Sequence, residues 1–105
     1  MKAGLALLAG TLMTIAPGGL QAADVAAGQK LARTVCVNCH VVAPGVGPSQ
    51  PTAGIPSFAS VAAKPGQSAD KIKAFIMNPH PPMPQVQLTV HELDNLAAYI
   101  MTLKP

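Results

Sequence analysis

The chain has 105 residues, of which half are apolar and only 10% are charged, and its formal net charge is +3. This composition excludes a disordered chain and a polyelectrolyte arm for nucleic acid, and the length allows one domain at most. The aromatic residues are Phe58, Phe75 and Tyr99 alone, whereas Pro occurs 11 times and Gly 9 times. A small domain with so little to bury must take part of its stability from something other than its own side chains.

Residues 1–22 have the layout of a secretory signal peptide. Lys2 supplies a positive charge, residues 3–16 carry no charge, and the segment ends on the small residue Ala22. The alternative is an uncleaved membrane anchor, but the apolar stretch is shorter than the roughly 20 residues that span a bilayer. We therefore expect an exported, periplasmic protein with a mature domain of residues 23–105 and no stable membrane insertion.

Three stretches of the mature domain have apolar residues at helical spacing, and each follows a residue that can cap a helix. The capping residues are Asp24, Ser68 and Thr89, and a fourth, shorter helical turn is predicted to begin at Ser57. The apolar positions are Val25, Leu31, Ala32 and Val35 in the first helix, Ile72, Phe75 and Ile76 in the second, and Leu93, Leu96, Ala97, Ile100 and Leu103 in the third. Thr89 and Glu92 have the spacing of a capping box, and Asn78-Pro79 should end the second helix. Because no alternating strand pattern occurs, the sequence predicts an all-α fold.

The chain between these helices is stiff and neutral. Residues 41–84 hold nine prolines and four glycines, and residues 34–63 contain no charged side chain. A segment of this length and character is uncommon in a small domain unless it wraps around something. A flat, apolar cofactor would account for it.

The most informative motif is Cys36-Val37-Asn38-Cys39-His40. A C-x-x-C pair alone fits a redox-active dithiol, half of a zinc site or a haem attachment. The dithiol would need a parallel sheet, which the sequence does not predict. A zinc ion would need four ligands, and the adjacent residues Cys39 and His40 would struggle to bind one tetrahedral ion together. A disulfide between Cys36 and Cys39 would close a loop too short to add much stability.

Covalent haem meets the demands of the motif. Two thiols three positions apart on a helical turn can add to the two vinyl groups of one porphyrin edge, and His40 then lies beneath the ring, where it can ligate iron. Export also agrees with this interpretation, while dithiol chemistry and zinc remain alternatives. The sequence therefore predicts one haem c, bound through Cys36 and Cys39.

Met83 is the favoured sixth ligand of the iron. It lies between Pro82 and Pro84, which restrict its backbone and hold a thioether at little entropy cost. Met77, inside the second helix, is expected to pack in the core. His80 is the other alternative ligand, although it is expected to lie near the haem edge or in solvent.

This combination of motifs resembles the small monohaem class I cytochromes c of bacteria, over essentially the whole mature domain. The matching residues are Gly28, Cys36-x-x-Cys39-His40, Gly47-Pro48, Pro82-Met83-Pro84 and Leu96-x-x-Tyr99-Ile100. The resemblance implies three main helices and a short helical turn wrapped around haem, with a contact between Gly28 and Tyr99 where the first and last helices cross. It also implies that the carbonyl of Pro48 accepts a hydrogen bond from His40. Many relatives place a Trp near a haem propionate, but this chain contains no Trp. Lys64 and Ser57 are the candidate propionate partners instead.

The expected function is that of a monomeric one-electron carrier rather than an enzyme. With His40 and Met83 both bound, iron has no open position for a substrate, and the thioether favours the ferrous state. The partners would be redox proteins: a dehydrogenase or respiratory complex as donor, and a terminal oxidase or another acceptor. The alternative is a haem-based sensor or peroxidase-like protein in which Met83 leaves the iron.

Overall fold

The computed structural model describes residues 3–12 and 22–105. Residues 1–2 and 13–21, which belong to the predicted signal peptide, therefore lie outside the described residues. Residues 3–12 form no helix, and the side chains of Leu5 and Leu8 are 88% and 95% exposed. No helix within the described ranges combines the length and the apolar character that crossing a bilayer requires. The proposed cleavage after Ala22 stays a prediction.

Residues 22–105 are built from helices, and the predicted all-α fold is confirmed. The helices are α1 (Val25–Leu31), which continues as a π-helical segment (Ala32–Cys36), α2 (Phe58–Ala62), α3 (Ala69–Met77) and α4 (Val90–Thr102). Over residues 3–12 and 22–105 the only β-type pairing is an isolated bridge between Ala43 and Val46. The five-residue α2 is the short helical turn that the sequence predicts.

The predicted capping residues begin the helices. The side chains of Asp24, Ser57 and Ser68 each accept a hydrogen bond from a backbone N–H in the first turn of α1, α2 and α3. At the start of α4, Thr89 and Glu92 form the reciprocal capping box. Each cap satisfies a backbone donor that has no partner inside the helix. These helix starts are therefore determined by short-range chemistry.

Helices α1 and α4 cross at Gly28, as the resemblance implied. An ideal Cβ at Gly28 would lie 2.9 Å from the Cβ of Tyr99 and closer still to the carbonyl group of Asn95. The side chain of Asn95 also accepts a hydrogen bond of 2.8 Å from the backbone N–H of Asp24. The crossing thus joins the start of α1 to the last helix.

The core lies between these helices and is small. Its buried apolar residues are Ala32, Val42, Phe58, Ala62, Ile72, Ile76, Leu93, Leu96, Ala97, Tyr99 and Ile100. Helix α4 supplies five of them, and it contacts α1, α2 and α3. The predicted apolar face of α4 is confirmed from Leu93 to Ile100, and Leu103 packs against the core while partly exposed.

The apolar face predicted for the first helix is partly wrong. Val25 and Val35 are 40% and 39% exposed, whereas Ala32 is fully buried. The helix changes to π geometry at Ala32, where the N–H of Val37 donates to the carbonyl of Ala32. The wider turn changes the direction of the following side chains, so spacing counted for a regular α-helix fails at Val35.

Candidate haem site

The Cys36–His40 segment forms a tight helical turn at the end of the π-helical segment. The backbone N–H groups of Cys39 and His40 donate to the carbonyl of Cys36 at 3.2 and 3.0 Å. Cys36 is half-buried, Cys39 is exposed, and neither forms a disulfide. Burial raises the pKa of the Cys36 thiol to about 11, so the sulfur is uncharged at neutral pH. A thioether is uncharged too and suits the same environment.

The imidazole of His40 is oriented by two residues of the following segment. Its Nδ1 lies 2.6 Å from the carbonyl oxygen of Pro56. Since a carbonyl can only accept, Nδ1 carries a proton, and Nε2 is the nitrogen left to bind a metal. The buried ring of Phe58 packs on the imidazole with the ring centroids 5.4 Å apart. His40 therefore presents an oriented Nε2, a nitrogen of the kind that ligates iron.

The predicted role of Pro48 is wrong, because the carbonyl that accepts this hydrogen bond belongs to Pro56. The chain after His40 folds back on itself, and the N–H of Phe58 donates to the carbonyl of Val41 at 2.9 Å. This pairing carries Pro56 to the imidazole. Gly47, beside Pro48, has another role: a Cβ there would lie 2.8 Å from the Cα of Val41, so the chain passes Val41 only as glycine.

The turn after His40 is also anchored to α4. Val42 is fully buried, and its carbonyl accepts a hydrogen bond of 2.6 Å from the buried Tyr99 hydroxyl. Its backbone N–H donates to the carbonyl of Val46. These contacts connect the segment that carries His40 to the longest helix of the domain.

A cleft opens beside His40 and consists of two adjoining cavities of about 270 and 310 Å³. His40, Pro56, Phe75 and Met83 line both cavities. The remaining lining of the first comes from α2, α3, α4 and the loop between α2 and α3, and its apolar residues outnumber the polar Lys64, Gln67 and Lys71. That of the second comes mostly from Gly54, Ile55 and the proline-rich loop. Cavities of several hundred Å³ with mostly apolar walls are typical of cofactor sites.

Met83 also lines this cleft. It belongs to the proline-rich loop of residues 78–84, more than forty residues after His40 in the chain. Its backbone N–H donates to the carbonyl of His80 at 3.0 Å, which closes a turn, and its side chain is half-buried. The imidazole of His80 is exposed and packs edge-on against Phe75 at a centroid distance of 5.3 Å. The cleft thus brings His40 and Met83 together, with His80 at its edge.

Met77 is not a core residue, and the prediction that it packs in the core is wrong. Its side chain is 51% exposed, while Ile72 and Ile76 provide the buried face of α3. Met77 follows Ile76 directly and is rotated by about 100° around a helix of 3.6 residues per turn. Phe75 is also 45% exposed, since it faces the cleft rather than the core.

Sequence reasoning missed several residues of the cleft, among them Pro56 and Lys71, and it placed Ser57 there wrongly. Ser57 caps α2 and lines a separate cavity of about 180 Å³, whereas Lys64 does line the cleft. Pro56 could have been found as the proline that precedes the cap of α2. No such local pattern marks Lys71.

The donor set of the cleft fits haem. The two thiols stand on the turn that carries His40, and the available nitrogen of His40 and the thioether of Met83 belong to the same cleft. In residues 3–12 and 22–105 no group of three or more His, Cys, Asp and Glu side chains is close enough to hold a metal ion, as the zinc alternative would require.

Comparisons with known proteins agree with this interpretation. The family described as “Cytochrome C oxidase, cbb3-type, subunit III” matches residues 23–100, a range that includes the C-x-x-C-H motif and Met83. Cytochrome c-552 of Bradyrhizobium diazoefficiens is 45% identical over 84 residues, which are 80% of this chain and 79% of that protein. No solved structure matches the chain. The chain therefore belongs to this cytochrome c family, as a small monohaem electron carrier with haem c bound covalently through Cys36 and Cys39.

Proposed function

We propose that this cytochrome is an exported, monomeric one-electron carrier whose iron is ligated by His40 and Met83. The observation that carries the proposal is that these two side chains line both cavities of a single cleft. Met77 lines neither cavity, and His80 lines one of them only. His40 and Met83 are thus the pair of donors that share the whole cleft.

His40 is prepared for coordination by its hydrogen bond to Pro56. The carbonyl holds the proton on Nδ1, fixes the plane of the ring and raises the basicity of Nε2. Phe58 limits rotation of the same ring from another side. The nitrogen ligand therefore needs little rearrangement between the two oxidation states.

Met83 occupies the second axial position in this proposal. When bound, haem supplies an iron that gains and loses one electron, and a thioether ligand raises its potential relative to a second histidine. The turn closed by His80 and the flanking prolines Pro82 and Pro84 hold the sulfur near the cleft. With His40 and Met83 both bound, the iron would have no open position for oxygen or peroxide, which disfavours catalysis.

The partners of this carrier are redox proteins. We assign a dehydrogenase or respiratory complex as donor and a terminal oxidase or another acceptor on the opposite side, all reached from the periplasm. Export is supported by the pattern of residues 1–22. The exposed Phe75 at the cleft and the uncharged residues 34–63 suit brief encounters through a small apolar surface.

Substitution of Met83 tests the axial ligation. In Met83→Ala we expect haem to stay attached, because the thioethers of Cys36 and Cys39 do not involve the methionine. The long-wavelength charge-transfer band of a methionine-ligated ferric haem should disappear, the midpoint potential should fall, and cyanide should bind rapidly. Absorption spectroscopy, spectroelectrochemistry and cyanide titration measure these three effects.

Met77→Leu is the matched control, since Met77 is a half-exposed methionine on the preceding helix. It should keep the band and change the free energy of unfolding by no more than about 0.5 kcal/mol, as is usual for surface substitutions. A band that survives in Met83→Ala would move the ligand assignment to another methionine, first of all Met77, whereas an unsubstituted protein without the band would favour His80. Rapid cyanide binding by the unsubstituted protein would instead favour the sensor or peroxidase-like function.

A further inference from the structure

The geometry points to Lys64 and Lys71 as the residues that bind the two carboxylates of the haem. This inference rests on the proposed function, because it takes the haem to lie between His40 and Met83. It assigns to the cleft a positively charged end, suited to anionic groups, that the C-x-x-C-H motif does not reveal. The lysines act as electrostatic partners of the cofactor and set the reduction potential.

The two ends of the cleft differ in composition. Cys39 lines only the cavity of about 310 Å³, whereas Lys64 and Lys71 line only the cavity of about 270 Å³. His40 and Met83 lie in the shared middle part. The order along the cleft is therefore thiol, axial ligands, lysines.

The chemistry of haem c converts this order into an orientation. Its thioether bonds form at the vinyl groups of one porphyrin edge, and its two carboxylates extend from the opposite edge. With the vinyl edge held at Cys36 and Cys39, the carboxylate edge points toward the cavity that Lys64 and Lys71 line. No Asp or Glu lines either cavity, so the local charge at that end is positive.

The lysines have ammonium N–H groups available for the carboxylates. Lys71 donates one hydrogen bond of 2.8 Å to the carbonyl of Gly66, and an ammonium group has three donors. Within the part of the chain that the structure describes, Lys64 makes no ion pair. Gln67, the neighbouring polar residue, already donates to the carbonyl of Val61 and accepts from the N–H of Ser68.

Lys73 shows what a structural lysine of the same helix looks like. Its ammonium lies 2.9 Å from a carboxylate oxygen of Asp94 and 3.3 Å from one of Asp70, and it lines neither cavity. Asp70 and Asp94 thus form ion pairs with Lys73. Lys71 makes no such ion pair among the described residues and can bind an anion inside the cleft.

Resonance Raman spectroscopy of the holoprotein tests the contact, because the carboxylate bending bands respond to hydrogen bonds made by the propionates. We expect these bands to shift in Lys64→Gln and Lys71→Gln, and to shift most in the double variant. Lys71→Arg should restore the band position, because it keeps both the charge and the donors. Lys30→Gln, which removes the same charge from an exposed position on α1, is the control and should leave the bands unchanged.

The midpoint potential provides the second measurement. Without the lysines the carboxylate charge is no longer balanced and stabilises ferric iron, so the equilibrium constant for reduction should fall about tenfold in the double variant, or about 59 mV for one electron. In Lys30→Gln it should change less than about twofold, because solvent and salt screen a distant charge. Unchanged carboxylate bands in the double variant, with a potential equal to that of Lys30→Gln, would overturn the inference. The methionine charge-transfer band of the unsubstituted protein reports on axial ligation separately, so its absence would refute the proposed ligation and leave the carboxylate test intact.

Discussion

His40 illustrates at the scale of a single residue how the site is prepared. The imidazole of His40 lies on the same helical turn as Cys36 and Cys39. Its orientation, however, comes from Pro56, sixteen residues away, and from Phe58. A free imidazole can carry its proton on either nitrogen, and the carbonyl of Pro56 selects the form in which Nε2, not Nδ1, is left to bind a metal. One backbone carbonyl thus decides the chemistry of the residue.

Gly28 is the residue at which the packing tolerates least change. Replacing it by Ala places a methyl group against the carbonyl of Asn95 and the Cβ of Tyr99, and backbone cannot move aside cheaply. The gain in helix propensity, about 1 kcal/mol, is smaller than the strain. We expect Gly28→Ala to lower the free energy of unfolding by about 1–3 kcal/mol, as overpacked sites do, measured by denaturant unfolding of the holoprotein.

The control for this prediction is Gln29→Ala, which changes the exposed neighbouring position on α1. It should leave the free energy of unfolding within about 0.5 kcal/mol of the unsubstituted protein. Equal stability of Gly28→Ala and Gln29→Ala would mean that the helices separate at the crossing without cost.

At the scale of elements, α4 is the helix that holds the domain together. It contacts the other three helices and supplies nearly half of the buried core. Its Asn95 side chain accepts a hydrogen bond from the N–H of Asp24, and its Asp94 forms an ion pair with Lys73. Its start depends on the capping box of Thr89 and Glu92. A helix that organises the packing should transmit damage at its start to the whole fold.

Thr89→Ala removes one half of that capping box. The N–H of Glu92 loses its acceptor, and the side chain of Glu92 loses the geometry that orients it toward the N–H of Thr89. We expect a loss of about 0.5–2 kcal/mol in the free energy of unfolding, with an unchanged haem spectrum. Thr52→Ala, in an exposed loop, is the matched control. If both variants unfold at the same denaturant concentration, the cap contributes nothing.

At the scale of the whole molecule, the domain depends on its cofactor. The buried core is small, and residues 41–57 and 78–88 contain neither helix nor strand. Ordering a residue costs roughly 1–2 kcal/mol of backbone entropy, which such segments recover only by packing against something. The cleft between them is where the haem supplies the missing apolar surface.

Removing the attachment should therefore prevent folding. We expect Cys36→Ala combined with Cys39→Ala to yield a chain with little helical circular dichroism and no cooperative thermal transition, because the entropy cost is no longer offset. Asn38→Ala, in the same turn with both thiols intact, should fold and carry haem. Cooperative melting of a native-like helical chain without haem would show that the core suffices on its own.

Much of this protein could be predicted from short stretches of sequence. The helix starts at Asp24, Ser68 and Thr89 are local, because a cap and the amide it binds are three residues apart. The haem attachment is local too, since Cys36, Cys39 and His40 share one helical turn. The contact of Gly28 with Tyr99 could be predicted through the family resemblance, because the glycine by itself does not identify its partner helix.

The tertiary structure decided what depends on distant pairing. Pro56 replaces Pro48 beside His40 because the chain folds back at Val41, which no local pattern records. Lys71 lines the cleft because α3 packs on α4 with Ile72 and Ile76 inward, and that packing leaves Met77 exposed. Spacing along a helix determines which residues share a face, but only the position of the neighbouring helices and of the cleft decides whether that face meets core, cofactor or solvent.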